Sequence, residues 1–537
     1  MLRIIDLVKM FYNTIKYLKA KQLYYQIFYR LRNFIIKQQF DNKNINLVID
    51  GLVWKNFIFS DSTLKKNRTF TFLNIAHKFN ESIDWNYSKY GKLWTYNLNY
   101  FDFLNQPEIT AIKRIELIRD YILKYHLIKD GKEPYPTSLR AINWIKFISA
   151  ESIIDPTINK FLHYDYKRLS NNIEYHLLGN HLLENGFSLL FGAYYFENEE
   201  FYFLAKKIIQ EELEEQILVD GAHFELSPMY HQILLRRLLD CIQLVKNNAW
   251  EIDNLLPLLK NKAEIMLSWL ETITYKDGSI PMVNDSTYNI APRSEQLFCY
   301  ASSLGLNWST ILLTESGYRK FSNSKYELFI DVGNIGPKYQ PGHAHSDTFN
   351  FELYVNKMPL IVDTGISTYE KNDIRQIQRS TSSHNTVVVN EMNQSQVWGG
   401  FRVGNRANII SLMEEHNFVE ASHNGYIKIG VIHKRSFSFK KDNISIKDFL
   451  IGPDKYKSYA YLHFHPNIEN IILDDKSIYI EDFDISISFK GSKKIEQLKY
   501  FYSLGFNVQE KAIKLKIIFI NELETTISTG KINFNGI

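Results

Sequence analysis

The sequence predicts a multidomain protein whose first part is helical and whose second part is an antiparallel β-sandwich. Its 537 residues are too many for one ordinary hydrophobic core, so two or three domains are expected. Up to about residue 315 the apolar residues recur at the three-and-four spacing of amphipathic helices. From about residue 325 they alternate with polar residues in short runs, as strands with one buried face do.

Six stretches of the first part have the helical spacing, and short polar connections separate them. They cover residues 108–126, 139–154, 180–196, 201–218, 229–245 and 256–273. The connections include "VDGAHFELSP" and "YKDGSIPMVNDST", whose Gly, Asp and Pro residues are typical of helix ends. Helices of medium length with short links and no strand between them are expected to pack as antiparallel pairs.

Eight short runs of β-branched and aromatic residues, each closed by turn residues, follow in the second part. They cover residues 326–333, 349–356, 359–365, 384–390, 425–439, 445–452, 477–489 and 514–520. Many short strands at close spacing are typical of an antiparallel sandwich. No long linker or low-complexity run separates the two parts, so we expect them to pack directly together.

The composition is that of an ordinary globular protein, with 45% hydrophobic and 23% charged residues. A net charge of +4 over this length gives no reason to expect a nucleic-acid partner. Cys241 and Cys299 are the only cysteines, so no disulfide framework is expected. Aromatic residues make up 15% of the chain, and two interpretations of this content stay open, core packing and a sugar-binding cleft.

The N-terminal stretch, residues 1–37, is basic and amphipathic. Asp6 and Lys9 interrupt its apolar run, so it has neither the core of a secretory signal peptide nor the features of a membrane span. It predicts one or two helices that either lie on a membrane surface or cover their own domain. We therefore expect a cytoplasmic or membrane-associated protein, and the low cysteine content leaves the periplasm open.

Two polar clusters interrupt the helical part of the sequence. "GNHLLENG" contains Asn180, His181 and Glu184, and on a helix the last two would share a face. "DGAHFELSPMYHQ" has a helix-start signal in "SP" and contains His223, Glu225, Tyr230 and His231. Each residue taken singly also fits a structural role, such as a helix cap for Asn180, a core histidine for His181 or a core ring for Tyr230.

A third cluster opens the β part, in "GPKYQPGHAHSDTFNFELYV". We predict that its alternating pattern is a strand, on which His343, His345 and Asp347 would point to one face. "VDTGIS" and "STSSHNTV" add Asp363 and His384. The set of His345, Asp363 and His384 suits Zn²⁺, which binds neutral imidazoles and carboxylates. Because the spacing matches no compact metal motif, a metal site and a purely structural cluster stay equally open.

These clusters, together with "LWTYNLNYFDFL", "YPTSLRAINWIKF", "DGSIPMVNDS" and "VWGGFRVG", resemble the heparinase II/III family of polysaccharide lyases. The resemblance runs from about residue 90 to about residue 410 and is strongest in "HAHSD", "VDTG" and "SSHNTV". It implies an incomplete (α/α) toroid followed by an antiparallel β-sandwich. We therefore expect an N-terminal helical segment at 1–85, a toroid catalytic domain at 86–320 and a sandwich at 321–537.

The resemblance also implies an activity, the β-elimination of a uronic-acid-containing polysaccharide. This reaction needs a group that stabilises the carboxylate, a base that reaches C5 and an acid that protonates the leaving O4. By motif position, Asn180 and His181 would hold the uronate carboxylate. Tyr230 would be the acid, and for one C5 epimer also the base. His343 would be the base that acts from the opposite face of the sugar ring.

Further residues receive binding roles from the same resemblance. The substrate would be bound in the cleft by Glu184, Arg140, Asn143 and Trp144, with the guanidinium clamping a second acidic sugar. A structural divalent metal, Zn²⁺ by ligand type, would be held by His345, Asp363 and His384. Asp347 is the nearest substitute ligand if Asp363 lies elsewhere.

Other functions stay open at this point. A toroid glycoside hydrolase would need two carboxylates across the cleft, for which Glu184 and Glu225 are the candidates. A non-catalytic glycan-binding or assembly protein of surface-polysaccharide biosynthesis would need no acid and no base. For a lyase, the basic helical N-terminus and the moderate length resemble those of proteins associated with bacterial surface-polysaccharide assembly, which implies a capsule or O-antigen polymer as the substrate. The sequence defines neither the sugar nor the oligomeric state.

Overall fold

The structure of the chain, a computed structural model, describes residues 2–35, 51–59 and 62–529. The helical part of these residues begins with two helices at the N-terminus and continues with nine more after residue 90. Their bounds are α1 Leu2–Ile15, α2 Ala20–Ile35, α3 Lys92–Tyr100, α4 Ala111–Lys124, α5 Pro134–Ala150, α6 Pro156–Ser170, α7 Gly179–Phe196, α8 Glu199–Gln216, α9 Pro228–Asn247, α10 Leu255–Ile273 and α11 Ser294–Leu304.

Helix α7 lies at the centre of the helical part and packs against α5, α8 and α9. Only Glu197 and Asn198 join α7 to α8, so the chain reverses direction between them. Glu197 closes α7 in the left-handed conformation, and the Asn198 side chain accepts a hydrogen bond from Phe201 N to start α8. The predicted pairing of neighbouring helices is confirmed, and their facing sides form one continuous hydrophobic core.

A small antiparallel sheet stands within segment 1–85, so the prediction of an entirely helical segment is wrong there. Its strands are β1 Leu64–Lys65, β2 Thr69–Phe72 and β3 Ile75–Lys78. "TFTFLNIAHK" alternates at period two, and Leu73 and Asn74 adopt the positive φ of a tight hairpin (53° and 61°). Of the same segment, residues 36–50 and 60–61 lie outside the described part of the chain.

The β part follows α11, and every strand pair in its described residues is antiparallel. Its elements are β4 Tyr318–Ser322, β5 Tyr326–Asp331, β6 Phe351–Val355, β7 Met358–Ile361, α12 Asp373–Gln378, β8 Val387–Val389, β9 Val397–Trp398, β10 Arg402–Val403, β11 Ile409–Glu415, β12 Phe418–His423, β13 Ile432–Phe439, β14 Asn443–Ile451, β15 Ser458–His463, β16 Ile472–Leu473, β17 Ser477–Ile480, β18 Ile485–Gly505 and β19 Val508–Thr529.

Two of the sheets form a sandwich. Strands β4 to β7 make a four-stranded sheet, and a ten-stranded sheet contains β8 and β11 to β19. Leu328 and Leu353 of the smaller sheet share one buried core with Ile446 and Phe519 of the larger sheet. The predicted order, a helical part followed by an antiparallel β-sandwich, is confirmed. The last eight residues of the expected sandwich domain, 530–537, lie outside the described residues.

The helical and β parts pack directly against each other, as expected. Tyr275 of the helical part donates its hydroxyl hydrogen bond to Glu352 Oε2 in β6 over 2.9 Å. The tip of hairpin β18–β19 also reaches the hairpin β2–β3, where Asn507 Nδ2 donates to Leu73 O over 2.9 Å. No described helix combines the length and the apolar character needed to cross a bilayer.

Candidate active site

A cleft of about 750 Å³ lies between the helical part and the β part. Helices α3, α5, α7 and α9 line one side, and the other side comes from the loops around β6 and β7 and from hairpin β9–β10. Asn180, His181, Tyr230 and His343 all line this cleft, although they lie far apart in the sequence. The structure therefore brings the four expected catalytic residues together, and their chemical roles stay predictions.

The first turn of α9 places Tyr230 in the cleft. Ser227 caps this helix by accepting a hydrogen bond from Tyr230 N (3.4 Å), and Pro228 occupies the first helical position. The Tyr230 hydroxyl lies 3.2 Å from the Tyr369 hydroxyl. Burial raises the pKa of Tyr230 well above its ordinary value of 10, and Tyr369 adds to the shift. At neutral pH Tyr230 is thus a phenol that can give a proton.

Asp285 fixes the imidazole of His343 beside this phenol. His343 Nδ1 donates to Asp285 Oδ2 over 2.9 Å, and the His343 ring stacks on Tyr230 with 3.9 Å between centroids. The buried Asp285 also accepts hydrogen bonds from Arg375 and from His345 Nε2. Burial alone would raise the Asp285 pKa, but Arg375 and the two histidines hold it well below its ordinary value. Because Nδ1 is occupied, the lone pair of His343 is on Nε2.

One expectation about His343 is wrong in the structure, and the face of the sugar ring from which it would act stays a prediction. His343 comes from the β side of the cleft and Tyr230 from the helical side, and their rings are in contact, with 3.9 Å between centroids. The stretch around His343 is not a strand: a loop extends up to Phe351, where β6 begins, and carries the Gly and Pro of "QPGH". His343 and His345 nevertheless face the same carboxylate, Asp285, as their two-residue spacing suggested.

Glu225 connects Asn180 to His343. Its Oε2 accepts a hydrogen bond from Asn180 Nδ2 over 3.2 Å and lies 3.5 Å from His343 Nε2. Gly179 precedes Asn180 with φ of 60°, and a Cβ at this position would lie 2.9 Å from Glu225 Oε1. Glycine thus allows the start of α7 to approach this carboxylate closely. Burial raises the pKa of Glu225 above its ordinary value, even though His343 acts in the opposite direction.

His181 lies beside Asn180 on α7 and is held by a second carboxylate. Its Nδ1 lies 3.1 Å from Glu174 Oε1, and its ring packs on Tyr135 with 4.4 Å between centroids. Burial opposes a charge on this imidazole, but the attraction of Glu174 prevails and raises the pKa of His181 above 6.5. The His181 side chain is 35% exposed and lines the cleft, so its protonated form would present a positive charge there.

Glu184 and Arg140 do not lie in the cleft, which corrects their expected role in substrate binding. Both are buried with ionic partners in the helical core. Glu184 accepts from Arg237 Nε over 2.6 Å, and Arg140 donates to Asp165 from both Nε and one terminal nitrogen. A buried charge needs such a partner, so neither side chain is available to an acidic sugar. The carboxylate pair that a hydrolase would need, Glu184 and Glu225, therefore does not span the cleft.

Asn143 and Trp144 are also structural rather than cleft residues. Asn143 Nδ2 donates to Tyr100 O over 2.9 Å and to Asp102 Oδ1 over 2.7 Å, which ties α5 to the end of α3. Trp144 is completely buried and packs its ring against Phe101. The motif "YPTSLRAINWIKF" thus contains Asn143 and Trp144 because they pack α5 against its neighbours. The sequence alone does not distinguish such packing residues from ligand-binding ones.

Three buried ligand groups converge behind His343. Atoms of His345, Asp347 and His384 lie within 4.8 Å of one another, and His345 Nδ1, Asp347 Oδ2 and His384 Nε2 have no hydrogen-bond partner among the described residues. Asp363, the expected third ligand, instead accepts from His384 Nδ1 over 2.8 Å, on the far side of that ring. Asp285 occupies the equivalent position on His345. The cluster thus differs from the expected set by Asp347 in place of Asp363.

Four residues of this site received no catalytic role from the sequence. Asp285 stands in the quoted "DGSIPMVNDS", and Glu225 was considered only as half of a hydrolase pair. Tyr369 and Arg375 follow "VDTG" in the sequence. Only their contacts in the structure, Tyr369 with Tyr230 and Arg375 with Asp285, identify them as part of the site. The sequence offered one signal, for Asp285, which stands in a stretch that the family resemblance includes.

Two family models match the chain. Heparinase II/III N-terminus matches residues 137–300, and Heparinase II/III-like, C-terminal matches residues 307–520. Together they cover most of the chain and both sides of the cleft. A heparin-sulfate lyase of Bacteroides stercoris is 24% identical in an alignment of 395 positions, and the alignment covers 65% of this chain and 57% of that protein. The chain thus spans little more than half the length of this relative.

Solved structures share the fold at low sequence identity. The crystal structure of heparinase III is 16% identical and has a TM-score of 0.67, with 95% of this chain and 90% of that chain covered. A heparan sulfate lyase mutant from Pedobacter heparinus is 17% identical with a TM-score of 0.58, covering 85% of this chain and 80% of that chain. At these identities the likeness concerns the arrangement of the helical and β parts.

Proposed function

Because this chain belongs to the heparinase II/III family, we propose that it is a polysaccharide lyase that cleaves a uronic-acid-containing glycan by β-elimination. One observation carries the proposal. A buried phenol, Tyr230, stacks at 3.9 Å on an imidazole, His343, that Asp285 holds through Nδ1. A protonated acid and an oriented base, side by side in a cleft, are the two groups that elimination requires. A protein that only binds glycans needs neither.

The reaction first needs a site that stabilises negative charge. Removal of the C5 proton converts the neighbouring carboxylate into an enolate with a second negative charge. Asn180 Nδ2 and the imidazole of His181 line the cleft next to each other and are the donors for this group. The raised pKa of His181 keeps this imidazole cationic to a higher pH, which favours an acidic sugar over a neutral one.

His343 and Tyr230 then divide the proton transfers. His343 Nε2 takes the proton from C5, and the Asp285 carboxylate stabilises the resulting imidazolium through Nδ1. Tyr230, a phenol at neutral pH, gives its proton to O4 as the C4–O4 bond breaks. The two rings are in contact, with 3.9 Å between centroids, so both groups would reach the sugar from the same side. We therefore infer a preference for the epimer whose C5 proton and O4 leave from the same face of the ring.

Glu225 must adapt when an acidic sugar enters. In the free site it accepts the hydrogen bond of Asn180 Nδ2, the donor that the uronate carboxylate would use. Two carboxylates at one donor repel each other unless one of them is protonated. The raised pKa of Glu225 favours its protonated form, which offers the uronate a hydroxyl donor instead of a second negative charge. Glu225 thereby supports the same enolate that Asn180 and His181 stabilise.

We also propose that His345, Asp347 and His384 hold a structural divalent metal, Zn²⁺ by ligand type. The three unpartnered atoms fit it, and the opposite nitrogens of the two rings are bound by Asp285 and Asp363, as metal-bound histidines usually are. The ion would cross-link the loop that carries His343 to the rest of the sandwich. Elemental analysis of purified protein should find one ion per chain, and a chelator should lower the melting temperature.

The proposed activity is tested by incubating the protein with a panel of acidic polysaccharides, with neutral dextran as the control. The panel contains glycosaminoglycans, alginate and uronate-containing bacterial capsule and O-antigen polymers, since a bacterial surface polymer stays the predicted substrate. A lyase gives ultraviolet-absorbing unsaturated ends, and its products are lighter by one water than those of a hydrolase. Products that contain an added water, or saturable binding of a polymer without any cleavage, would contradict the proposal.

A further inference from the structure

We propose that the outer face of helices α1 and α2 docks on an anionic lipid surface. Six apolar or aromatic side chains of α2 are exposed, and on a helical wheel they lie within an arc of about 140°. They are Leu23, Tyr24, Ile27, Phe28, Leu31 and Phe34, the last of which is 91% exposed. Val8 and Tyr12 continue the apolar surface on α1, with 61% and 68% exposure.

The inner side of the helix pair is anchored by polar contacts, which is the reverse of an ordinary surface helix. Gln22 Nε2 donates to Leu177 O over 3.1 Å, and Tyr29 donates its hydroxyl hydrogen bond to Ile173 O over 2.6 Å. A helix that packs on its own domain normally buries its apolar stripe and exposes its polar one. Here polar groups face the protein, together with the Tyr25 ring, which packs on Tyr175 with 4.7 Å between centroids. The wide apolar stripe faces outward, so the pair is built to bury its outer face against something else.

Charge decides which partner fits this face. Between Leu7 and Ile35 the sequence contains no Asp or Glu, while Lys9, Lys16 and Arg30 are exposed beside the apolar residues. A second copy of the chain would bring these cations against their own counterparts, at an electrostatic cost. An anionic bilayer instead attracts them while the aromatic and aliphatic side chains enter the headgroup region.

The same helices also contribute to the cleft, which links docking to the substrate. Thr14 of α1 and Leu18 of the turn before α2 line the cleft, and Trp398 Nε1 donates to Thr14 Oγ1 over 3.2 Å across its edge. Docking would therefore hold the cleft within about one helix diameter, roughly 10 Å, of the lipid surface. Given the proposed lyase activity, on which this step alone depends, the substrate would be an acidic glycan attached to or held at a membrane.

Vesicle co-sedimentation of the full chain tests the docking. Vesicles of phosphatidylcholine with one quarter phosphatidylglycerol should bind it at least tenfold more tightly than phosphatidylcholine alone, and high salt should weaken the binding. The double variant Ile27→Glu/Leu31→Glu should lose at least tenfold in affinity. Its control, Ile112→Glu/Leu123→Glu, makes the same change at two exposed positions of another helix, α4, and should bind as the unchanged chain does.

Three results would overturn the proposal. They are no binding to anionic vesicles, equal losses in both double variants, or a lipid-independent dimer that Ile27→Glu/Leu31→Glu dissociates. The dimer would identify a second copy of the chain as the partner. Circular dichroism and cleavage of a soluble substrate should be unchanged in both double variants, which separates lost docking from misfolding. A failure of the lyase assignment would leave the vesicle result unaffected, so the two proposals can fail independently.

Discussion

The cleft has two polar regions that are held in different ways. On one, His343 and Tyr230 stand against Asp285, whose oxygens are bound by Arg375 and by both histidines of "HAH". On the other, Asn180 and His181 each rest on a single carboxylate, Glu225 or Glu174. We refer to the first as the acid–base region and to the second as the carboxylate region. Many hydrogen bonds hold the acid–base region in place. The carboxylate region has few, and the pKa values of its His181 and Glu225 are raised.

In the proposed elimination, the two regions would perform two separate tasks. Proton transfer requires fixed geometry, and the buried bonds around Asp285 supply it before substrate arrives. Charge stabilisation requires groups that can change partner and protonation when a carboxylate enters, and Glu225 and His181 have that freedom. Substitutions in the acid–base region should therefore reduce turnover and folding stability together or proton transfer alone, and those in the carboxylate region should weaken charge stabilisation or shift the pH dependence.

The largest effect is expected from Tyr230→Phe, which removes one oxygen from the acid–base region. The turnover number should fall by about 100- to 10 000-fold, the usual range for a lost acid–base group. The melting temperature should change little, because the ring and its stacking on His343 remain. Tyr121→Phe is the matched control, since its buried hydroxyl has no hydrogen-bond partner among the described residues. Equal activity of Tyr230→Phe and Tyr121→Phe would remove Tyr230 from the mechanism.

Asp285→Asn tests the rigidity of the acid–base region. The substitution leaves the buried Arg375 guanidinium without its anion, which costs about 3–5 kcal/mol of unfolding free energy when a buried pair is broken. Glu174→Gln is the comparison in the carboxylate region. It should cost much less, because His181 is partly exposed and can become neutral. Chemical denaturation measures both variants, and similar losses would show that the two regions do not differ in rigidity.

A smaller effect on turnover is expected from Asn180→Ala. The loss of one donor to the developing enolate should lower the turnover number by about 100- to 1000-fold. Asn180→Asp should be at least as slow, because it places a third carboxyl group beside Glu225 and the substrate. Asn171→Ala, at the exposed end of α6, serves as the control. Steady-state kinetics on one defined oligosaccharide would detect the difference, and an unchanged turnover number in Asn180→Ala would reassign this amide to packing.

The fold was largely predictable from the sequence, because its signals are periodic. Helical spacing over 12 or more residues and alternation over five to eight residues are repeated many times in this chain. The exception, sheet β1–β3, has strands of two to four residues, which are too short for their alternation to stand out in the sequence. Its hairpin turn places Leu73 and Asn74 at positive φ and contains no Gly, so the usual sequence signal of such a turn is missing.

The site was predictable only for those polar motif residues that line the cleft, and not for those that pair with other buried residues. Asn180, His181, Tyr230 and His343 are polar groups that line the cleft, and the family motifs pointed to them. Arg140 and Glu184 are also polar residues within motifs, but their charges satisfy other buried charges. Whether a charge faces a ligand or a neighbouring helix depends on the tertiary partner, which no local pattern encodes.

The smallest expected effect, a shift in pH dependence, tests the carboxylate region itself. Burial lowers the affinity of His181 for a proton, but Glu174 outweighs it, with Glu225 and Glu184 acting in the same direction, so the pKa is raised above 6.5. The cation is therefore present below this raised pKa and is lost as the pH rises through it.

In the unchanged protein, kcat/KM for an acidic oligosaccharide should fall on the alkaline side of the raised His181 pKa, by at most tenfold per pH unit. Glu174→Gln removes the main cause of the shift, so the fall should begin at a lower pH. Asp285→Asn should leave the position of this fall unchanged, since Asp285 does not touch His181. If the pH profile moved equally in Glu174→Gln and Asp285→Asn, the titrating group would lie in the acid–base region. The assignment of separate tasks to the acid–base region and the carboxylate region would then be wrong.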